Sequence, residues 1–196
     1  LYVLEQSFAT AGRTLRRFGV LARFRAVDPQ DRVVLPHEHT RAPAKEDRWR
    51  VLQATHANFS PIFLMFPDPE RRFTQAMAEA MSVPAGLHYA DDGHTQHRLW
   101  RVTDEARIAT FTQLLAPVTA YIADGHHRYA TALRHRDAHG PDGAWTFGYF
   151  TPMEAPGLVI EPYHRILSAG PLRDAAETAL AARFDLREAD SVGEAA

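Results

Sequence analysis

The chain has 196 residues, of which 45% are apolar and 23% charged, and its formal net charge is −2. Such a balance is typical of globular proteins, and it gives no bulk attraction for nucleic acid or an anionic membrane. The absence of cysteine excludes disulfides, thiolate catalysis and cysteine-based metal sites. No apolar run approaches the roughly 18 residues of a membrane span, and the first residues lack a signal-peptide layout. We therefore expect a cytoplasmic protein without a membrane or nucleic-acid partner.

The first third of the chain alternates between apolar and polar residues, with turn-forming residues between the alternating runs. The period then becomes helical over residues 43–56, where Trp49 and Leu52 fall on one face. Residues 57–61 precede the next apolar run, and Asn58, Ser60 and Pro61 are interpreted as a turn, with contact to a substrate as the alternative. The predicted early strands are LYVLEQSF, TLRRFGVLARFRAV and RVVL.

The middle of the chain combines a buried strand, two helices and a hairpin. PIFLMF is a short apolar run typical of a buried strand. A helix is predicted over residues 68–82, with Asp68 near its cap and Phe73, Met77 and Met81 facing inward. LHYADDGHTQHRLWRV predicts a hairpin that turns at its Asp-Gly pair. Residues 104–115 predict another helix, capped by residue 103 or 104.

The last third continues the mixture of strands and helices. VTAYIAD predicts a strand that leads directly into the helix HHRYATALRHRDAH. AWTFGYFTPM and LVIEPYHRIL predict two further strands separated by a turn at APG, and residues 171–184 predict a final helix. We expect an α+β fold, with a mixed sheet and flanking helices, in a single domain over residues 1–196.

The corner between VTAYIAD and its helix gathers several reactive side chains around one glycine. A helix start presents unsatisfied backbone N–H groups and the positive end of the helix dipole, which together favour an anion. Gly125 lacks the Cβ that would keep a phosphate away from the backbone, and Arg128 can fork onto two phosphate oxygens. His126 and His127 add donors or proton carriers, and Asp124 can cap the helix, hold a metal or orient a hydroxyl.

A second candidate cluster follows the strand RVVL. Residues 37–40 read HEHT, in which the carboxylate of Glu38 lies between imidazoles and can act as a general base beside His37. Lys45 and Arg48 lie one loop further on, at the start of the next helix. Because cations are disfavoured at a helix N-terminus, Lys45, the only lysine of the chain, favours a ligand-binding role.

Several segments together resemble the DUF1015 family of uncharacterised bacterial and archaeal proteins. The resemblance covers most of the chain in order, and ADGHHRY is its most specific piece. Members of that family are longer and have an N-terminal part with a proline-tyrosine-aspartate motif, so the resemblance implies that the present chain is a fragment without that part. The matching segments are VLPHEHT, APAKEDRWRVLQATHANFSPIFLMFPD, HRLWRVTD, YIADGHHRYATAL and GLVIEPYHRIL.

The DGHHR corner is also similar to the phosphate motif of the ParB/sulfiredoxin superfamily, which includes CTP-binding partition clamps, sulfiredoxin and free-serine kinases. This resemblance implies a ParB/sulfiredoxin-like core with insertions. It further implies that Gly125, His126, His127 and Arg128 bind nucleotide phosphates. Glu38 would match the acidic residue that activates a serine hydroxyl.

The residues and the resemblance together predict a kinase for a small hydroxyl compound such as free serine. ATP or ADP would be the donor, with Mg²⁺ bridging its phosphates and no metal held by the protein alone. The predicted catalytic residues are His37, Glu38 and His127, with Lys45 as an alternative to His127 for charge stabilisation. The predicted phosphate-binding residues are Lys45, Arg48, Asp124, Gly125, His126 and Arg128.

Two other functions stay open at this point. One is a non-catalytic ParB-like regulator that binds a nucleotide or DNA, against which the balanced charge of the chain argues. The other is a metallohydrolase in which histidines of the two clusters converge on a metal, although their spacing fits no standard zinc motif. The histidines concerned are His37, His39, His126 and His127.

Overall fold

The computed structural model describes residues 1–10, 12–160 and 171–187. The chain divides into two compact units, Leu1–Leu158 and Val159–Ala196. All the predicted site residues belong to the first unit, and the second contains the helix α5 (Pro171–Ala181). None of the described helices is long and apolar enough to cross a membrane. The assignment of residues 1–196 to one domain stays a prediction.

An eight-stranded mixed sheet forms the centre of the first unit, in the order β3-β7-β4-β8-β2-β1-β6-β5. The pairs β3/β7 and β4/β8 are parallel, and the other neighbours are antiparallel. The strands are β1 (Tyr2–Thr10), β2 (Arg13–Arg25), β3 (Val34–Leu35), β4 (Ile62–Phe66), β5 (Leu87–Ala90), β6 (Gln96–Arg101), β7 (Ala120–Asp124) and β8 (Trp145–Pro152).

Four helices accompany the sheet in this unit: α1 (Ala42–Thr55), α2 (Arg72–Ala80), α3 (Glu105–Leu115) and α4 (His126–His139). Short 3-10 helices cover Pro29–Asp31 and Gly140–Ala144. The predicted α+β class, with a mixed sheet and flanking helices, is therefore confirmed.

Aspartates fix the starts of two helices, as their sequence pattern predicts. The carboxylate of Asp68 accepts the backbone N–H groups of Phe73 (3.1 Å) and Thr74 (2.9 Å) at the start of α2. Asp104 accepts the N–H of Arg107 at 2.9 Å in the first turn of α3. These bonds satisfy donors that a helix start otherwise leaves without partners. Helices α2 and α3 are thus closed at their N-termini by side chains of the chain itself.

The core lies on one face of the sheet. Val20, Phe150, Leu64 and Ile122 are buried and occupy matching register positions across β2, β8, β4 and β7. The α2 residues Phe73 and Met77 are fully buried as predicted, and Met81 packs against the core only in part. The rings of Phe66, Phe73 and Phe111 form an edge-to-face series with centroids 4.8 and 5.1 Å apart. This packing holds β4 and β7 in place, and both strands lead to the site described below.

Several predicted element boundaries differ from the structure, among them those of the helix predicted over residues 68–82, which covers Arg72–Ala80. Residues 158–160, predicted to begin the strand LVIEPYHRIL, are not in a strand, and residues 161–167 lie outside the described part of the chain. Two successive turns explain the difference, because Ala155 N–H donates to Pro152 and Leu158 N–H donates to Ala155. Gly157 then lies so close to the Arg16 backbone that a Cβ would come within 2.4 Å of it. The final helix, predicted to reach residue 184, ends at residue 181.

Candidate functional site

The starts of α1 and α4 meet at a cleft of about 390 Å³, here called the α1/α4 cleft. Strand β7 ends at Asp124, Gly125 turns the chain with φ +98°, and α4 begins at the next residue. On the other side, β3 ends at Leu35 and the loop 36–41 leads into α1, which packs on α4. The lining residues are Glu38, Ala44, Arg48, Ser60, Asp124, Gly125, His126, His127 and Arg128.

His126 joins the first residue of α4 to the loop after β3. Its Nε2 accepts the backbone N–H of His37 at 3.4 Å, and its Nδ1 lies 3.6 Å from a carboxylate oxygen of Glu38. Because Nε2 accepts a hydrogen bond, the proton of the neutral ring is on Nδ1, on the side of Glu38. The ring of His37 packs edge-on against it, with centroids 4.5 Å apart. His126 thus places a ring N–H beside the carboxylate of Glu38 at the cleft.

The buried position of His126 favours its neutral form. Burial lowers the pKa of its imidazole below the ordinary value, and the neighbouring His37 lowers it further. The carboxylates of Glu38 and Asp124 act in the opposite direction but do not reverse the shift. The neutral ring is also the form that the hydrogen bond from His37 requires. Burial and hydrogen bonding therefore favour the same protonation state.

His127 makes a matching bond at the other end of the same loop. Its Nε2 accepts the backbone N–H of Arg41, the residue before α1, at 3.1 Å. The two consecutive histidines at the start of α4 therefore attach both ends of the loop 37–41. This bond leaves Nδ1 of a neutral His127 as the ring's only N–H donor. The sequence predicted donors or proton carriers here, and the structure shows both Nε2 atoms acting as acceptors.

Arg128 is held over Gly125 by three partners. Its guanidinium donates to Ser60 Oγ at 3.0 Å, to the carbonyl oxygen of Pro61 and to the carboxylate of Asp124. A Cβ on Gly125 would stand 3.1 Å from Nε of Arg128. The space that the missing Cβ leaves is thus used by the guanidinium, which lies between the end of β7 and the loop before β4.

Two arginines and two helix starts lie together at the α1/α4 cleft. Among the described residues, no side chain caps the N-terminus of α1 or of α4, in contrast to α2 and α3. Arg48 and Arg128 line the cleft, against the carboxylates of Glu38 and Asp124. Unsatisfied N–H groups and the helix dipole favour an anion at such a place. The arrangement suits a ligand with several negative oxygens.

The structure brings most of the predicted site residues together. Two of the nine predicted residues do not line the cleft. The ring of His37 packs against that of His126, and Lys45 is not among the lining residues. Ser60, predicted as a turn residue with substrate contact as the alternative, lies in a bend, lines the cleft and holds Arg128. No local pattern marks that role, because its partner is 68 residues away. The seven predicted residues in the cleft are Glu38, Arg48, Asp124, Gly125, His126, His127 and Arg128.

All four histidines of the metallohydrolase alternative lie in the described part of the chain. No group of three or more His, Asp and Glu side chains in this part of the chain is arranged to hold a metal ion. The nearest arrangement, His37 with His126, places the rings edge to face and uses Nε2 of His126 for a backbone N–H. The described residues therefore do not form the set of metal ligands that the metallohydrolase alternative requires.

Comparison with known proteins gives one match. The family model described as a protein of unknown function, DUF1015, matches residues 1–195. No curated protein and no solved structure matches the chain. The match extends over nearly all of the sequence, including both the loop 37–41 and the corner at Gly125. The chain belongs to the DUF1015 family.

Proposed function

We propose that the α1/α4 cleft binds the phosphates of ATP or ADP and transfers a phosphoryl group to the hydroxyl of a small molecule such as free serine. The observation that carries the proposal is the convergence of two uncapped helix starts and two arginines on a cleft that also contains the carboxylate of Glu38. Phosphoryl transfer depends mainly on positioning and on stabilising charge, and this cleft offers groups for both.

The phosphates would lie against the first turn of α4. Arg48 forms an exposed ion pair with Asp47, at 3.0 Å, which costs little to exchange for a phosphate. Arg128 is already fixed by Ser60 and Pro61, so its guanidinium is preorganised. The Asp124 carboxylate, 72% exposed at the cleft, suits Mg²⁺, which prefers carboxylate and phosphate oxygens. When bound, Mg²⁺ supplies neutralisation of phosphate charge.

Glu38 is the proposed general base. Its side chain is 62% exposed, and its carboxylate lies 3.6 Å from Nδ1 of His126. In the reaction, Glu38 takes the proton of the acceptor hydroxyl while that oxygen forms a bond to the terminal phosphorus. The bond from this phosphorus to the bridging oxygen breaks, and the shortened nucleotide leaves with the electron pair. The remaining Nδ1–H of His127, or Lys45, would stabilise the charge on the transferred group.

We also propose that the sheet and helices around the site form a ParB/sulfiredoxin-like core. A strand that ends in Asp-Gly and enters a helix at His-His-Arg is similar to the phosphate motif of the ParB/sulfiredoxin superfamily, and the mixed sheet is compatible with such a core carrying insertions. This supports the choice of a nucleotide as donor. No further feature of the described residues favours a ParB-like regulator.

The test is an assay for phosphoserine by phosphorus NMR, with serine, Mg²⁺ and either ATP or ADP. We expect turnover in the wild-type protein and a loss of about 100-fold or more in Glu38→Gln, because the base is removed while the shape is kept. Glu70→Gln is the matched control, since Glu70 is an exposed carboxylate paired with Arg72 outside the cleft. Unchanged turnover in both Glu38→Gln and Arg128→Ala would overturn the site assignment.

A further inference from the structure

The α1/α4 cleft continues into a second recess between the same two helices. Arg48, Ser60 and Arg128 line both the cleft and this recess, which has a volume of about 60 Å³. Four other residues of the recess, Val51, Leu52, Thr131 and Ala132, lie one helical turn further along α1 and α4, since a turn takes about 3.6 residues. Its apolar wall is formed by Val51, Leu52 and Ala132.

The chemistry changes along this groove. The cleft is lined mainly by charged and imidazole side chains, whereas the recess beyond Arg48 and Arg128 is mainly apolar. A further recess of about 150 Å³ shares Leu52, Asn58 and Ala132 with it and extends the groove. A ligand with an anionic end and a flat, weakly polar end would therefore match the groove in one orientation.

The loop before β4 supplies an aromatic ring and an amide to the recess. Phe59 lines it with 74% of its surface exposed, and Asn58 lies next to it. Exposed aromatic rings are platforms on which nucleic-acid bases stack. The amide of Asn58 has no hydrogen-bond partner among the described residues, and it offers both a donor and an acceptor. Sites for small molecules combine apolar walls with a few such polar groups.

We infer that the recess formed by Val51, Leu52, Asn58, Phe59 and Ala132 binds the adenine base of the nucleotide whose phosphates lie in the α1/α4 cleft. The ring of Phe59 stacks on the base, and the Asn58 amide bonds to its polar edge. Arg48 and Arg128 lie at the boundary, between base and phosphates. This inference rests on the proposed function and adds the residues that distinguish a nucleotide from a simple polyphosphate.

The test compares calorimetric binding of ATP with that of tripolyphosphate, both with Mg²⁺. We expect the wild-type protein to bind ATP at least about tenfold more tightly, a difference of about 1.4 kcal/mol. Phe59→Ala should weaken ATP binding about tenfold and leave tripolyphosphate unchanged, whereas Phe59→Tyr should restore ATP binding. Tyr89→Ala is the matched control, because Tyr89 is an aromatic ring 55% exposed on the distant edge strand β5.

Equal affinity of the wild-type protein for the two ligands would overturn the base site while leaving the phosphate cleft in place. So would a Phe59→Ala variant that loses ATP and tripolyphosphate to the same degree, because a base contact does not affect a ligand without a base. If the wild-type protein binds neither ligand, the proposed function itself fails, and the base site fails with it.

Discussion

Nε2 of His126 accepts the backbone N–H of His37 across 3.4 Å and so attaches the loop after β3 to the first residue of α4. Only the neutral imidazole can accept this bond, since both nitrogens of a protonated ring are donors. Nδ1 of the same ring lies 3.6 Å from a carboxylate oxygen of Glu38, so the charge beside the proposed base depends on the protonation state of His126.

This relationship predicts an acid-sensitive fold. Because the pKa of His126 is lowered from 6.5 in the folded protein, the unfolded chain takes up the proton first as the pH falls. The contribution of His126 to stability is therefore present above pH 6.5 and is lost as the pH falls through the lowered pKa. Urea unfolding measured across this range should show the decline.

A variant and a control make that prediction specific. At a pH above the ordinary pKa of histidine, His126→Gln should lower the free energy of unfolding by about 1 kcal/mol. Below that pH, the variant should lose less stability with falling pH than the wild-type protein does. His39→Gln, in the same loop but exposed, should leave both quantities as in the wild-type protein. Identical pH profiles for His126→Gln and the wild-type protein would refute the assignment.

Gly125→Ala should destabilise the corner in two ways. A residue with a Cβ is strained at φ +98°, at about 1–2 kcal/mol, and the new methyl group would press on the guanidinium of Arg128 at 3.1 Å. Gly12→Ala is the control, because Gly12 has φ +71° with no atom within 4 Å of its Cβ position. Unfolding measurements should show the larger loss for Gly125→Ala, and nucleotide affinity should fall in that variant alone. Equal losses of stability in the two variants would contradict the expected clash between the new methyl group and Arg128.

Asp124→Asn should raise the affinity of the cleft for an anion that carries no Mg²⁺. The substitution removes a negative charge that pairs with Arg128, and the pair is partly exposed, so we expect a gain of a few-fold, or about 1 kcal/mol. Titration with tripolyphosphate in the presence of a chelator measures this effect. With Mg²⁺ and ATP, the same variant should bind more weakly, because a metal-binding carboxylate is gone. A change in the same direction under both conditions would contradict the role given to Asp124.

Asp68→Ala should cost more stability than Asp104→Ala, although both residues cap helices. Asp68 is buried and accepts two backbone N–H groups and the Thr74 hydroxyl, whereas the carboxylate of Asp104 accepts one exposed N–H. We expect about 2 kcal/mol for the first and about 1 kcal/mol for the second. Thermal or urea unfolding of the two variants shows which of them loses more stability. Equal losses would show that burial of the Asp68 cap adds nothing.

Local sequence patterns were sufficient to predict the helices and strands around the site. The helical period of residues 43–56, the apolar run PIFLMF and the Asp-Gly ending of β7 each depend on neighbouring residues, so the sequence predicts α1, β4 and the β7–α4 corner closely. The α+β class follows from the alternation of such segments.

The long-range contacts of the site could not be predicted from the sequence, because they depend on the order of the strands in the sheet. Ser60 and Pro61 meet Arg128 only because β4 lies beside β7, with Phe63 opposite Asp124. The acceptor role of the two histidines depends likewise on a loop almost 90 residues away. The turn at APG was predicted, but the strand predicted from residue 158 is wrong, because the backbone there depends on the contact of Gly157 with β2.

Thermal unfolding in the presence of ATP and Mg²⁺ tests the central claim most directly. A ligand at 100 times its dissociation constant stabilises the folded state by about 2.7 kcal/mol, so a clear rise in melting temperature is expected for the wild-type protein. Arg48→Ala should reduce that rise, while Arg101→Ala, an exposed arginine on β6 outside the cleft, should keep it. No shift with ATP or ADP, or an equal shift in Arg48→Ala and the wild-type protein, would contradict the assignment of the α1/α4 cleft as a nucleotide site.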